Sequence, residues 1–254
     1  MIFIYVLLTL VLLFAYHNYS FTRKWKNRHV VNVYFGVPGS GKTTYAAWLT
    51  ARANHKSLLR RLSERWPSCR PLSWAAGKTQ APVPVYSNVP ILGTYKLDAR
   101  NDLGYYLIED AKIIIDEAGI DYNSRNYKSL PFETIKFFKL HRHYGTSIDV
   151  FSQSYEDMDI TLRRLAQNYY LVRKSLIPGF IVIRLIRRRI GIDDQTHKVC
   201  DLYAFGTPVL NTQWVWMPRL WKLFDSYDAP ELPKKDFKLW TSVNAESDGE
   251  EEQG

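Results

Sequence analysis

The chain opens on sixteen consecutive positions without a charged side chain, MIFIYVLLTLVLLFAY. As a helix this run spans about 24 Å, against a hydrocarbon core of roughly 30 Å. Continued through His17, Asn18 and Tyr19, it predicts a short transmembrane helix over residues 1–19. A helix buried in a soluble core would show a polar face, and none is present. A cleaved secretory leader calls for basic residues before the apolar run and a small-residue site after it, and both are missing. Arg23, Lys24, Lys26 and Arg28 follow in a basic juxtamembrane linker, 20–29, and the positive-inside tendency then places the rest of the chain in the cytoplasm.

Beyond the linker the pattern changes to short apolar strands alternating with amphipathic helices. VVNVYF (30–35) reads as a buried parallel strand, and a helix follows from Lys42 to about Ala53. NHKSLLRRLSERW gathers Leu58, Leu59, Leu62 and Trp66 on one helical face. PVYSNVPI (84–91), AKIIID (111–116), SIDVFSQ (147–153) and NYYLVRK (168–174) read as further strands, with FETIKFFKLHRHYG as a helix ending at Gly145. FIVIRLIRRRIG and HKVCDLYAF read as an antiparallel pair joined through GIDDQT, and QWVWMPRLWKLFDSY predicts an aromatic helix starting near Pro218. Helices between successive strands imply the α/β class, a doubly wound and mainly parallel sheet whose ligands bind at the strands' carboxyl ends. The expected domain runs over 30–228, and the acidic AESDGEEEQG closes a solvated, disordered tail over 229–254.

Composition changes this picture little. The 254 residues suffice for one main core, and the formal charge of +9 suits nucleic acid or an anionic membrane face without demanding either. Cys69 and Cys200 allow at most one disulfide and no CxxC zinc pair, so both read as free thiols in a reducing compartment. His141 and His143 diverge on a helix and lack a third ligand, which makes them structural or surface residues.

The chemistry is concentrated at strand ends. Gly36, Val37, Pro38, Gly39, Ser40, Gly41, Lys42 and Thr43 satisfy G-x-x-x-x-G-K-[ST] directly after a strand and at a helix start. Glycines let such a loop turn its N–H groups inward around phosphate oxygens, Lys42 bridges the β- and γ-phosphates, Thr43 ligates Mg²⁺, and Thr44 reaches the α-phosphate. The strand IIIDE then delivers Asp116, a carboxylate suited to holding magnesium through water, and Glu117, which polarises an attacking water. ATP and Mg²⁺ are therefore the expected cofactors. In P-loop ATPases resembling this pattern, a strand such as 147–153 inserts between the two phosphate-site strands and presents a polar residue, here Gln153. The order expected for the five main strands is then 5-1-4-3-2, with the antiparallel hairpin added at the edge. No Asn-Lys-x-Asp base reader is present, which argues against a GTPase. Arg163 and Arg164 are the candidates for an arginine supplied to a neighbouring subunit's site, with Arg142 behind them. Arg187, Arg188 and Arg189, with the arginines near 60, are expected to meet anionic partners, DNA or lipid head groups.

GVPGSGKTT, IIIDEA, HRHYGTSIDVFSQ and WMPRLWKLFDSY together resemble the zonular occludens toxin (Zot)-like family, which includes filamentous-phage assembly ATPases. The resemblance implies a ring-forming homo-oligomer at the host inner membrane that hydrolyses ATP while single-stranded phage DNA is coated and extruded. Its implied partners are coat protein, single-stranded DNA, inner-membrane lipid and other phage assembly proteins. Members of the family place their membrane span after the ATPase, whereas the apolar run here stands in front. Roles of the extracytoplasmic segment are accordingly not carried over. A general DNA-translocating ATPase and a nucleotide-gated membrane scaffold with little turnover share the same nucleotide motif.

Overall fold

The apolar run after the basic linker becomes a central strand, β1 (Val31–Phe35), flanked on both sides by parallel neighbours. The computed structural model describes residues 2–26, 29–56, 58–71, 74, 81–118, 131–156, 158–192, 199–206 and 211–224. The expected tail over 229–254, Arg28 and most of the GIDDQT turn lie outside the described residues. So do the side chains of Arg23, Lys24, Lys26 and Cys200.

In chain order the elements are α1 (Ile2–Lys26), β1, α2 (Lys42–Asn54), α3 (Leu58–Arg65), β2 (Val85–Ser87), β3 (Tyr95–Lys96), β4 (Lys112–Ile115), α4 (Phe132–Leu140), β5 (Ser147–Ser152), α5 (Ile160–Leu165), β6 (Asn168–Lys174), β7 (Phe180–Ile192), β8 (Val199–Phe205) and β9 (Thr212–Trp216). The sheet runs β3-β2-β4-β5-β1-β6-β7-β8, with β9 also paired to β7. Its five expected strands fall in the expected order, β6-β1-β5-β4-β2, all parallel. β7 then turns antiparallel against β6.

Three expectations change. The aromatic helix expected from near Pro218 does not form: only Trp221–Leu223 wind into a 3-10 turn, and the residues before it, 212–216, are strand. β8 and β9 lie end to end along one edge of β7, pairing its residues 186–192 and 180–184. The helix expected to run to Gly145 stops at Leu140, and its chain leaves through a turn in which Gly145 takes φ +67°. The helix at the front continues through the expected linker to Lys26. Among the described residues no helix is long and apolar enough to cross a membrane. The apolar part whose side chains are described, Ile4 to Tyr16, covers about 20 Å.

Strand alternation divides the core between two faces. Val31, Val33, Ile113, Ile115, Ile148 and Val150 pack against Phe137 and Phe138 of α4 and Leu162 of α5. Tyr34, Ile114, Phe151, Val172, Ile181 and Val215 lie on the other face under Tyr45, Ala46, Ala47 and Leu49 of α2. That second face also buries a polar chain across four strands. Asn168 Nδ2 donates to Asn32 Oδ1 at 2.9 Å, Asn32 Nδ2 donates to Asp149 Oδ1 at 2.7 Å, and Lys112 pairs with Asp149.

α1 is anchored at its base, where Asn18 Nδ2 donates to the Trp214 carbonyl at 3.0 Å and the Phe14 and Trp214 rings meet edge to face. Before that point its apolar side chains are exposed all round, from Leu7 at 53% and Phe14 at 51% to Leu12 at 61% and Ile4 at 65%.

Candidate active site

β1 ends at Phe35, and the next six residues must turn the chain sharply into α2. Gly39 at φ +72° and Gly41 at φ +96° make that turn. Gly41 also has neighbours: a Cβ there would stand 2.7 Å from Ile181 of β7 and 3.6 Å from Met217 Sδ. A Cβ on Gly36 would meet the Val172 carbonyl of β6 at 2.4 Å and Ser40 Oγ at 2.8 Å. The loop is thus moulded against β6 and β7 with no room for a side chain at Gly36 or Gly41.

Lys42, the first residue of α2, is buried, and its Nζ donates to the Gly36 carbonyl at 2.8 Å and the Val37 carbonyl at 3.2 Å. Burial lowers its pKa from the ordinary lysine value, while the charges of Asp116 and Glu117 oppose the shift. Thr43 Oγ1 donates to Asp116 Oδ2 at 2.7 Å, which ties the glycine loop to the end of β4. Asp116 is 3% exposed, and burial raises its pKa above the usual carboxylate range against the hydrogen bonds from Thr43 and from the Glu117 N–H. Thr44 is buried within α2.

Glu117 is exposed and takes φ +50°, a left-handed backbone that an L side chain adopts only under constraint. Its N–H donates to Asp116 Oδ1 at 2.9 Å. Gln153 follows β5 directly and is exposed; because Phe35 pairs in register with Ser152, Gln153 stands level with the first glycine of the loop. Lys42, Thr43, Asp116, Glu117 and Gln153 therefore converge at the carboxyl ends of β1, β4 and β5.

The arginines do not join them. α5 leads from the carboxyl end of β5 back to the amino end of β1, where the Gln167 side chain accepts from the Val31 N–H. Arg163 stacks on Tyr155, its guanidinium carbon 4.8 Å from the ring centre, and exposed Arg164 uses its carbonyl to accept from Arg188 at 3.2 Å. Arg142 is exposed in the turn after α4. His141 is buried between the Phe138 and His29 carbonyls, and burial lowers its pKa, in keeping with a structural role. No metal-binding cluster of His, Cys, Asp and Glu occurs among the described residues.

Two neighbours of the site were not read from the sequence. Asn88, just past β2, accepts from the Asp116 N–H and donates to the Asp116 carbonyl, each at 2.8 Å. Beside it opens a cavity of about 910 Å³ walled by Ile91, Lys96, Trp221 and Phe224. Lys174, the last residue of β6, is exposed and brings its Nζ within 3.9 Å of the Cβ position of Gly39. Polar residues at the ends of β2 and β6 were the available signal, and only the strand order tells which of them adjoin the loop.

The residues present fit a nucleotide phosphate chain with magnesium. The loop is a cradle that a Cβ at Gly36 or Gly41 would obstruct, and Ser40 Oγ is buried in it without a hydrogen-bond partner. The Thr43–Asp116 pair is an oxygen donor set of the kind magnesium takes.

Residues 96–201 match the family model described as zonular occludens toxin (Zot), a span that includes Asp116, Glu117 and Gln153 and begins after the glycine loop. No curated protein sequence matches the chain. Among solved structures it is similar to the N-terminal domain of zonular occludens toxin from Neisseria meningitidis, at 18% identity and a TM-score of 0.46, over 77% of this chain and 98% of that one. It is also similar to the genome packaging NTPase B204 from Sulfolobus turreted icosahedral virus 2 in complex with ATP-gammaS, at 12% identity and a TM-score of 0.37, over 68% and 96% of the two chains. The RadB recombinase aligns at 14% identity and a TM-score of 0.35, over 73% and 90%. All three scores fall below 0.5, so the fold assignment rests on the strand order, the glycine loop and the family match. The strand order and the glycine loop are those of a P-loop nucleotide-binding fold, and the stretch over residues 96–201 is similar to the Zot family.

Proposed function

We propose that this chain is a membrane-held, Mg-dependent ATPase that assembles into a ring and drives the assembly and extrusion of filamentous phage virions. The observation that carries the enzymatic part is the 2.7 Å hydrogen bond from Thr43 to Asp116, which brings the phosphate loop and the acidic strand end into one site. The N–H groups of residues 36–44 hold the phosphates, and Lys42 exchanges the Gly36 and Val37 carbonyls for phosphate oxygens. Thr43 and Asp116 would hold the metal, and magnesium when bound would supply positive charge to the phosphate chain. Glu117 accepts the proton of the attacking water, and Gln153 orients the terminal phosphate. Arg164 remains exposed for a neighbouring subunit's site, whereas Arg163 is engaged by Tyr155.

Membrane residence is supported by the exposed apolar cylinder of α1, a surface that soluble monomers rarely leave in water. The match to the Zot family supports the virion-assembly role, with coat protein and single-stranded DNA as the polymer being moved. Full-length chain in lipid vesicles should release phosphate from ATP only with Mg²⁺, and E117Q should bind nucleotide without release. A chain lacking residues 1–19 should leave the membrane fraction and retain nucleotide binding. Failure of the full-length chain to bind Mg-ATP would overturn the enzymatic reading, and membrane retention of the shortened chain would overturn the anchor.

A further inference from the structure

The basic run in β7 is not one patch. Alternation along the strand places Arg187 on the face shared with Ile183 and Leu185, where it donates to Asn211 Oδ1 at 3.4 Å, and places Arg184 and Arg188 on the other. Register adds aromatic rings to that other face, since Tyr203 of β8 lies opposite Arg188, and Phe205 opposite Ile186. Arg184 stacks on Phe205 at 4.5 Å, and Arg163 of α5 stacks on Tyr155 at 4.8 Å. Tyr155, Tyr169 and Tyr203 meet edge to face at 5.4–6.0 Å, and the Tyr155 and Tyr203 hydroxyls share a hydrogen bond of 2.8 Å.

Two features ask for a ligand. Arg163 Nε and Arg184 Nε are buried without hydrogen-bond partners, and among the described residues neither arginine has a carboxylate partner. Tyr203 is 41% and Phe205 53% exposed at the sheet edge, so ring surface stays open beside the guanidinium groups. Positive charge interleaved with open rings matches a flexible polyanion that carries its own rings. Phosphates meet the arginines, and bases stack on Tyr203 and Phe205. An acidic peptide would meet the charge and leave the rings unused.

We propose that this face, formed by Arg163, Arg184, Tyr203 and Phe205 around Tyr155, binds single-stranded nucleic acid. The proposal rests on the nucleotide-site reading only for its consequence. Tyr155 lies two residues beyond Gln153, and its ring is 5.9 Å from that of Phe35, which precedes the loop. A strand held here adjoins both the residue that meets the terminal phosphate and the root of the phosphate loop, so binding changes the hydrolysis rate.

The test is anisotropy of a labelled oligothymidylate of about 20 nucleotides, longer than the roughly 4–16 nucleotides of a single module, titrated with full-length chain in detergent. F205A and Y203A should each weaken binding roughly tenfold, in keeping with about 1–3 kcal/mol of stacking per base. Y203F, which keeps the ring, should bind as the unaltered chain does, and R184Q should reduce the salt dependence by about one phosphate contact. Unchanged binding by F205A and Y203A overturns the proposal, as does equal competition by polyglutamate or by phosphatidylserine in mixed micelles. A fluorescent ATP analogue separates the two readings. Ring-dependent oligonucleotide binding without nucleotide binding sinks the ATPase and leaves this surface standing; the reverse result does the opposite.

Discussion

Asn88 holds Asp116 by its main chain, donating to its carbonyl and accepting from its N–H at 2.8 Å each, so the side chain facing Thr43 is set by a residue of a different strand end. The pairing works like one more rung of the sheet, made by a side chain where β2 has already ended. Asn88→Ala leaves two half-buried backbone groups without that partner. Loss of such an outer support typically costs 10–100-fold in activity or metal affinity, and the expected outcome is a lower kcat with nucleotide affinity held within about twofold. Steady-state hydrolysis alongside equilibrium nucleotide binding checks it, and equal losses in both would show that Asn88 serves the loop instead.

Glu117 carries backbone strain, since a left-handed conformation costs an L-residue about 1–2 kcal/mol and this one sits at φ +50°. Glu117→Gly should raise the stability of the chain by about 1 kcal/mol while abolishing hydrolysis. Thermal denaturation and phosphate release measure the two effects, which run in opposite directions only if the strain is kept for the sake of the carboxylate.

Burial raises the pKa of Asp116 in the folded chain, so the native state binds more protons than the unfolded one between the ordinary aspartate value and the raised one. Stability contributed by this group therefore falls as pH rises through that window and levels off above it. Asp116→Asn removes the cost. In the absence of metal the variant should be more stable than the unaltered chain at neutral pH, and the advantage should vanish below the ordinary aspartate pKa. Mg-ATP should raise the melting temperature of the unaltered chain and leave that of the variant unmoved. Melting curves across pH, with and without Mg-ATP, decide the matter.

Asp149 is fully buried and faces Lys112, which is 15% exposed, with Asn32 as its second partner. Asp149→Ala strands an ammonium group in the sheet and should cost about 3–5 kcal/mol. The double variant K112M/D149L, apolar and similar in volume, should recover most of that loss. Denaturant unfolding reads both, and a single variant as stable as the parent would remove this network from the account of the fold.

The phosphate loop and the Asp116–Glu117 strand end were legible because each is written in a short window, whereas the order of the parallel strands came from the resemblance to P-loop ATPases. Eight residues fix the loop, and period and polarity fix the strands. QWVWMPRLWK shows the limit. Its first residues alternate as a strand does, with Gln213 and Val215 buried and Trp216 exposed, yet Pro218 and the following aromatics read as a helix start. What made it a strand was the free edge of β7 waiting at residues 180–184.

The sequence by itself determined the chemistry, since glycine conformational freedom and the lysine, threonine and carboxylate that serve phosphate and magnesium are properties of residue type and local spacing. Only the tertiary structure decided which distant groups support that chemistry. Asn88 reaches Asp116 across 28 residues, Asn32 reaches Asp149 across 117, and the arginines of β7 part to opposite faces, with Arg184 set beneath a ring of β8. Such contacts depend on which strands become neighbours and in what register, and these are fixed by how the whole chain buries its apolar surface.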